Sequence, residues 1–335
     1  MSKEFTHLSL ASAYSFKYGS SHPEQLVQRA AQFNMKSLAL TDQNNLAGAI
    51  RFAQSCESFG IKPILGINLG FIQNTSRITL LAKSGSLSSL YRLVSAVNTN
   101  TSDGLLTIEL LERFNQYSKN LIALLGPDSA LNKNLTQRKE GAALSIYQLV
   151  KQHFSTVAIE CVSHLERVNN LRSTTAAARS LAFAVKNQIP AVITNQVRML
   201  DKSDGPILDV LDANRKLSFI NSASVERSNA EAYLKDSQSM HEIADQIARA
   251  AGESSSRGLL KTTADISLEC ELSARGEIGI GGIHLPEPAL FGASNQAQLV
   301  KMLKEKAESK ISYYYQSNQY QYQVTHFALL NKIAP

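Results

Sequence analysis

From Phe5 to Thr194, short apolar runs alternate with stretches of helical period, and this rhythm restricts the fold more than any other feature of the chain. Seven runs have the length and composition of strands: Phe5–Leu10, Ser37–Thr41, Lys62–Phe71, Ile78–Lys83, Asn120–Leu125, Thr156–Val162 and Ala191–Thr194. Between them lie helical patterns. Ser20-Ser21-His22-Pro23-Glu24 supplies capping hydroxyls, an early proline and an acid ahead of Glu24–Phe33, and Gly60 closes Leu46–Phe59. Ser86–Val97, Ala143–Phe154 and Leu171–Asn187 complete the set. Such alternation predicts an α/β protein with a parallel sheet and helical crossovers. A closed barrel and an open doubly wound sheet both satisfy it. No G-x-G-x-x-G follows the first strand, which counts against a dinucleotide-binding sheet.

The pattern changes after about Asn221. Ser239–Ala251 reads as a helix, Gly252–Gly258 is small and polar, and Thr263–Cys270 has the composition of a strand. Gly276, Gly279, Gly281 and Gly282 mark a flexible stretch, so the sequence places a domain boundary near residue 270. Beyond it stand one helix, Gln296–Lys310, the Tyr-Gln tract Tyr313–Tyr322 and the apolar segment Phe327–Ile333. A tail of this size and composition buries little core by itself.

Mean hydropathy is −0.14, and no run approaches the roughly 18 apolar residues of a membrane span. The first residues, Met1-Ser2-Lys3-Glu4-Phe5, lack an apolar signal core, so a cytoplasmic location and no membrane partner are expected. Cys56, Cys161 and Cys270 are odd in number and far apart, the pattern of buried free thiols. The net charge of +6 suits contact with nucleic acid but does not single it out.

The block "HLSLASAYSFKYGSSHPEQLVQRAAQFNMKSLALTDQNNLAGAIRFAQSCESFGIKPILGINL" carries a tyrosine, a turn, a proline, a helix and an "LTD" signal in order. In this it resembles the N-terminal polymerase-and-histidinol-phosphatase (PHP) domain of bacterial DNA polymerase III alpha subunits, including the error-prone alpha-like polymerases. The similarity continues through "RITLLAKSGSLSSLYRLVS", "VAIECVSHLERVNN" and "PAVITNQVRMLDKSDGPILDVLDA" and covers about residues 5–270. The resemblance implies a distorted barrel of seven parallel strands with a multinuclear metal site on one rim, where catalytic groups come from several strand ends. The implied chemistry is metal-assisted hydrolysis of phosphate esters. Residues 271–335 then read as a linker and the incomplete start of a polymerase palm-like region. If the chain is a whole product, the family's magnesium-binding palm aspartates are missing and it does not polymerise DNA.

Mapped onto this chain, the family's ligand positions are largely changed. The paired histidines fall on Ser9 and Ala11, and the "TDH" turn falls on Thr41-Asp42-Gln43. The acid near the third strand's end falls on Asn68, a histidine before the fourth strand on Arg77, and the late aspartate-x-histidine pair on Gln196 and Arg198. His164 alone matches a usual ligand in kind, and Asp42 is kept beside a changed neighbour. Alanine offers no donor atom, serine is a weak ligand, and neutral amides suit hard ions better than a zinc or manganese cluster. A divalent ion about 5 Å from one guanidinium feels a repulsion of roughly 7 kcal/mol at an effective dielectric of ~20.

No cofactor is therefore expected, and the degenerate rim points to a non-catalytic PHP-type module of a polymerase assembly, partnered by polymerase subunits or primer-template DNA. The competing reading is a metal-dependent phosphoesterase or 3′–5′ exonuclease with manganese, zinc or magnesium in a rearranged site, for which His164 and Asp42 are the weak candidate ligands. On ordinary grounds Asp42 is a turn or capping acid, His164 a hydrogen-bonded histidine and His7 half-buried. Arg77 and Arg198 either face solvent or pair with Asp42 or Glu160. Asp204, Asp209 and Asp212 form a solvated helix face behind a capping Ser203.

Overall fold

The computed structural model describes every residue except 1–3, 72, 102–103, 169, 222–228, 283–286, 316–323, 325–327 and 329–335. In chain order the elements are α1 (Pro23–Gln32), β1 (Ser37–Leu40), α2 (Ala49–Phe59), β2 (Lys62–Phe71), β3 (Gln73–Ala82) and α3 (Leu87–Asn100). There follow β4 (Leu105–Leu106), α4 (Ile108–Arg113), α5 (Asn115–Ser118), β5 (Leu121–Leu125), α6 (Ala130–Thr136), α7 (Glu140–His153), β6 (Thr156–Cys161), α8 (Thr174–Lys186) and β7 (Ala191–Ile193). Helices α9 (Gly205–Arg215), α10 (Ser237–Ala251), α11 (Arg257–Cys270) and α12 (Gln296–Tyr315) complete the chain. Two compact units result, Met1–Ile280 and Gly281–Pro335, and the second holds a short 3₁₀ turn and α12. Most of the Tyr-Gln tract and of Phe327–Ile333 lies outside the described residues.

The sheet runs β1-β2-β3-β5-β6-β7, with β4 pairing β2. It curls until its two ends meet on the N-terminal segment. Ala39 N–H donates to His7 O at 3.0 Å on the β1 side, while Ala11 N–H donates to Val197 O at 2.8 Å and Val197 N–H to Ser9 O at 3.1 Å on the β7 side. The expected first strand is thus present as a seam rather than a regular strand, because Leu10 N–H is taken by the Thr41 hydroxyl at 2.9 Å instead of a carbonyl. One strand departs from the all-parallel expectation: β3 is antiparallel to both β2 and β5. A parallel crossover needs a dozen or more residues, and the residues between Phe71 and Ile78 are too few, so the reversal is already legible in the spacing.

Alternate strand residues divide the core into an inner and an outer layer. Leu8, Ala39, Ile64, Leu81, Ile122, Leu124, Ala158 and Val192 fill the barrel interior with Ile266 and Cys270 of α11. Leu38, Leu65, Leu80, Ala123 and Ile159 face the helices instead. Gly66 marks a close approach between strands: a Cβ there would lie 2.4 Å from Leu80 O and 2.7 Å from Leu81 Cδ2. Gly66→Ala is expected to cost about 1–3 kcal/mol by overpacking, read as a lowered midpoint in thermal unfolding.

The segment Thr263–Cys270 is helical, not a strand. Leu259, Thr263, Ile266, Ser267 and Cys270 are the buried set, the spacing of one helix face. α11 crosses the N-terminal mouth of the barrel: Ser267 Oγ meets Ser37 Oγ at 3.0 Å, and Leu272 N–H donates to Pro63 O at 2.9 Å. That leaves the opposite rim, at the strand C-terminal ends, accessible. Cys56, Cys161 and Cys270 are buried free thiols.

Candidate functional site

The open rim is built from the turns that leave the strands. After β1 the chain enters Thr41-Asp42, and the buried Asp42 carboxylate clamps the loop that precedes α1. It accepts Ser12 N–H at 2.7 Å, the Ser12 hydroxyl at 2.8 Å and the Ser15 hydroxyl at 2.6 Å. Burial pushes its pKa up, and the serine hydrogen bonds offset only part of that. Asp42 therefore orders a loop; the cap of α2 is Gly48.

The eight mapped positions share this rim. Ser9, Ala11, Gln43, Asn68 and Gln196 line a narrow pit of about 20 Å³ together with Tyr18 and Asp128. Gln43, Arg77, His164 and Arg198 line a larger cleft of about 770 Å³, which shares Tyr18, Gln43 and Asp128 with the pit. The amide groups of Asn68 and Gln196 that face the pit are already engaged. Asn68 Oδ1 accepts from Arg77 Nε, and Asn68 Nδ2 donates to Thr79 Oγ1 at 2.8 Å. Gln196 Oε1 accepts from Arg172 Nε at 3.0 Å, and its Nε2 donates to Glu160 at 3.2 Å. His164 donates from Nε2 to Asn195 O at 2.7 Å. Its burial, with the Arg172 charge, pushes its pKa down to about 3. It is a neutral, hydrogen-bonded histidine, as is His7, which is fully rather than half buried and donates to Lys235 O at 2.9 Å.

The arginines choose different partners from those the sequence offered. Arg198 pairs with Asp212 at 2.8 Å and lies 4.1 Å from the Tyr18 ring centroid. Asp212, also held by Arg215 at 2.7 Å, is buried, so the solvated-face reading fails there. Ser203 does not cap α9; its N-cap position is Asp204. Arg77 binds Asn68 O at 2.7 Å and Asn44 Oδ1 at 2.9 Å, and pairs with neither Asp42 nor Glu160. Those two acids are enclosed by hydroxyl and amide donors, which satisfy their oxygens without a cation. Glu160 accepts from Thr194 Oγ1 at 2.6 Å, and burial raises its pKa. Gly126 leaves the room it occupies: a Cβ at Gly126 would stand 2.0 Å from Glu160 Oε2.

Sequence reasoning missed Tyr18, Asp128, Arg172 and Arg215 as rim residues. Asp128 was detectable, since an acid directly after the apolar β5 run sits where barrel enzymes place functional groups. Arg172 carried no signal, because a loop residue ahead of α8 reaches the site only through the fold. Burial would raise the Asp128 pKa, but Arg172 at 2.5 Å overrides it and holds the carboxyl below its ordinary range. Among the described residues no group of three or more His, Cys, Asp or Glu side chains is placed to share a metal ion.

Comparison with known proteins accounts for this architecture. Residues 7–164 match the PHP domain family. The chain carries a PHP-like N-terminal domain. It is 29% identical to the DNA polymerase III subunit alpha of Buchnera aphidicola (subsp. Acyrthosiphon pisum) over 74% of this chain and 22% of the relative. It is 28% identical to the error-prone DNA polymerase of Symbiobacterium thermophilum over 71% and 23%, and 24% identical to the Escherichia coli K12 alpha subunit over 92% and 26%. The chain thus spans about a quarter of the length of these polymerases. Among solved structures it is similar to a two-domain Bacteroides vulgatus protein described as containing a predicted PHP-like metal-dependent phosphoesterase, with a TM-score of 0.40, 11% identity and coverage of 68% of this chain and 62% of that one. Among the described residues no helix is long and apolar enough to cross a membrane.

Proposed function

We propose that this PHP-like barrel is a non-catalytic module of a DNA polymerase III alpha-like protein, acting in replication or error-prone repair synthesis beside polymerase subunits and primer-template DNA. One observation carries the reading: at two of the mapped ligand positions the side-chain oxygen is bound by a guanidinium. Asn68 and Gln196 each give their carbonyl oxygen to an arginine, and Ala11 has no donor atom. A divalent ion entering the pit would have to strip those bonds and sit beside fixed positive charge. The donor set does not suit a divalent cluster.

Protein purified without chelator is expected to carry well under one equivalent of manganese, zinc or iron by elemental analysis, and to release no product from a 3′-labelled single strand when manganese is added. Stoichiometric metal, with turnover lost in His164→Ala, would establish the phosphoesterase or exonuclease reading instead.

A further inference from the structure

The larger cleft is lined by five arginines and Lys216 against three acids, Asp128, Glu166 and Asp212. Asp128 is matched to Arg172 at 2.5 Å, and Asp212 is shared by Arg198 and Arg215. Arg77 has no carboxylate within 4.0 Å among the described residues; its hydrogen bonds end on the neutral Asn68 and Asn44. It is partly withdrawn from solvent, and an arginine does not relieve that cost by giving up its proton. The Nη1 groups of Arg77 and Arg172 have no protein acceptor among the described residues. Arg77 is tied to the Asp128 turn, since its backbone N–H donates to Asp128 O at 3.1 Å, so both arginines serve the same wall of the cleft. A desolvated cation without a counter-charge is stabilised by an anion that supplies one. Guanidinium forks fit the oxygens of a phosphate in particular.

We propose that this cleft binds a phosphate group directly through Arg77, Arg172 and Arg198, with no divalent ion between. The volume of about 770 Å³ leaves space for more than a single phosphate. The phosphate comes either from a free inorganic polyphosphate or from the backbone of a nucleic acid strand. The proposal extends the non-catalytic reading of the same rim, yet the two fail separately: a stoichiometric metal cluster defeats that reading, and arginine-independent binding defeats this one.

The test is calorimetric titration of the full chain at low salt in EDTA, with inorganic pyrophosphate and, separately, with a short single-stranded oligonucleotide. Saturable binding of at least one probe is expected, weakened about tenfold in Arg77→Gln, the loss of one charged hydrogen-bonding partner. Arg215→Gln, at a more exposed guanidinium, leaves Asp212 to neutralise Arg198 alone, so it should weaken binding several-fold and carries the test if Arg77→Gln does not fold. Lys261→Gln, exposed on α11, should bind as the parent does. Pyrophosphate binding alone identifies the free-anion source; oligonucleotide binding identifies the strand. No saturable binding in EDTA, binding only after manganese is added, or unchanged affinity in folded Arg77→Gln and Arg215→Gln overturns the proposal.

Discussion

Acidification from pH 7.5 to pH 5 is expected to remove about 4 kcal/mol of folding free energy through two buried histidines. His7 is pushed down to about 4 and His164 to about 3, in both cases chiefly by burial, against an ordinary value of 6.5. His7 has no room to charge: its Nε2 is bound to Lys235 O and its Nδ1 is buried without a partner. Below pH 6.5 the unfolded chain takes up protons that the folded chain refuses until much lower pH. Stability contributed by these groups is therefore whole above 6.5 and falls on acidification, by about 1.4 kcal/mol per pH unit for each. Asp42 and Glu160 act in the opposite sense, since burial raises both and the folded state protonates first as pH falls. The wild-type slope is the difference of these terms, so a variant isolates the histidine part. In urea unfolding at both pH values, His164→Gln should lose about 2 kcal/mol less than wild type on going to pH 5. Parallel pH curves for the two proteins would show that His164 does not resist protonation.

Asp42→Ala should cost about 4 kcal/mol, the largest effect expected from a single rim substitution. The carboxylate is the common acceptor for one backbone N–H and two hydroxyls of the Ser12–Ser15 loop. Alanine leaves the buried Ser12 N–H unpaired at about 1–3 kcal/mol, and both hydroxyls must find weaker acceptors. Asp42→Asn keeps one oxygen and should recover roughly half of the loss. The clamp also fixes Tyr18, which stacks on Arg198, so Asp42→Ala should disorder the Arg198 side of the cleft before it unfolds the barrel. Chemical denaturation gives the first quantity, and protease cleavage within residues 12–19 gives the second. A loss below 1 kcal/mol would mean that the loop holds its shape without the carboxylate.

Much of the barrel can be read from residue order. β2 spans the same residues in sequence and structure, and six of the seven expected strands are regular strands near their expected places. Short continuous apolar runs bounded by turn signals are the pattern of strands covered on both faces of a sheet. The first segment fails as a strand because of a tertiary contact, the Thr41 hydroxyl that intercepts its hydrogen bonding. α11 was misread because a short segment with β-branched residues satisfies both patterns, and only packing into the barrel mouth chose the helix.

The rim divides along the same line. The resemblance to PHP domains, rather than spacing, singled out Ser9, Ala11, Gln43, Asn68, Arg77, His164, Gln196 and Arg198, and the fold brings all eight to one rim. What each side chain touches was beyond the reach of that resemblance. Whether Arg198 meets Glu160 or Asp212, and whether Arg77 meets any acid, depends on crossing angles and loop paths that bring together residues far apart in sequence. Strand propensity and spacing are local quantities and survive in a string of letters. The pairing of charges is set by distances of a few ångströms between distant segments, and only the folded chain contains them.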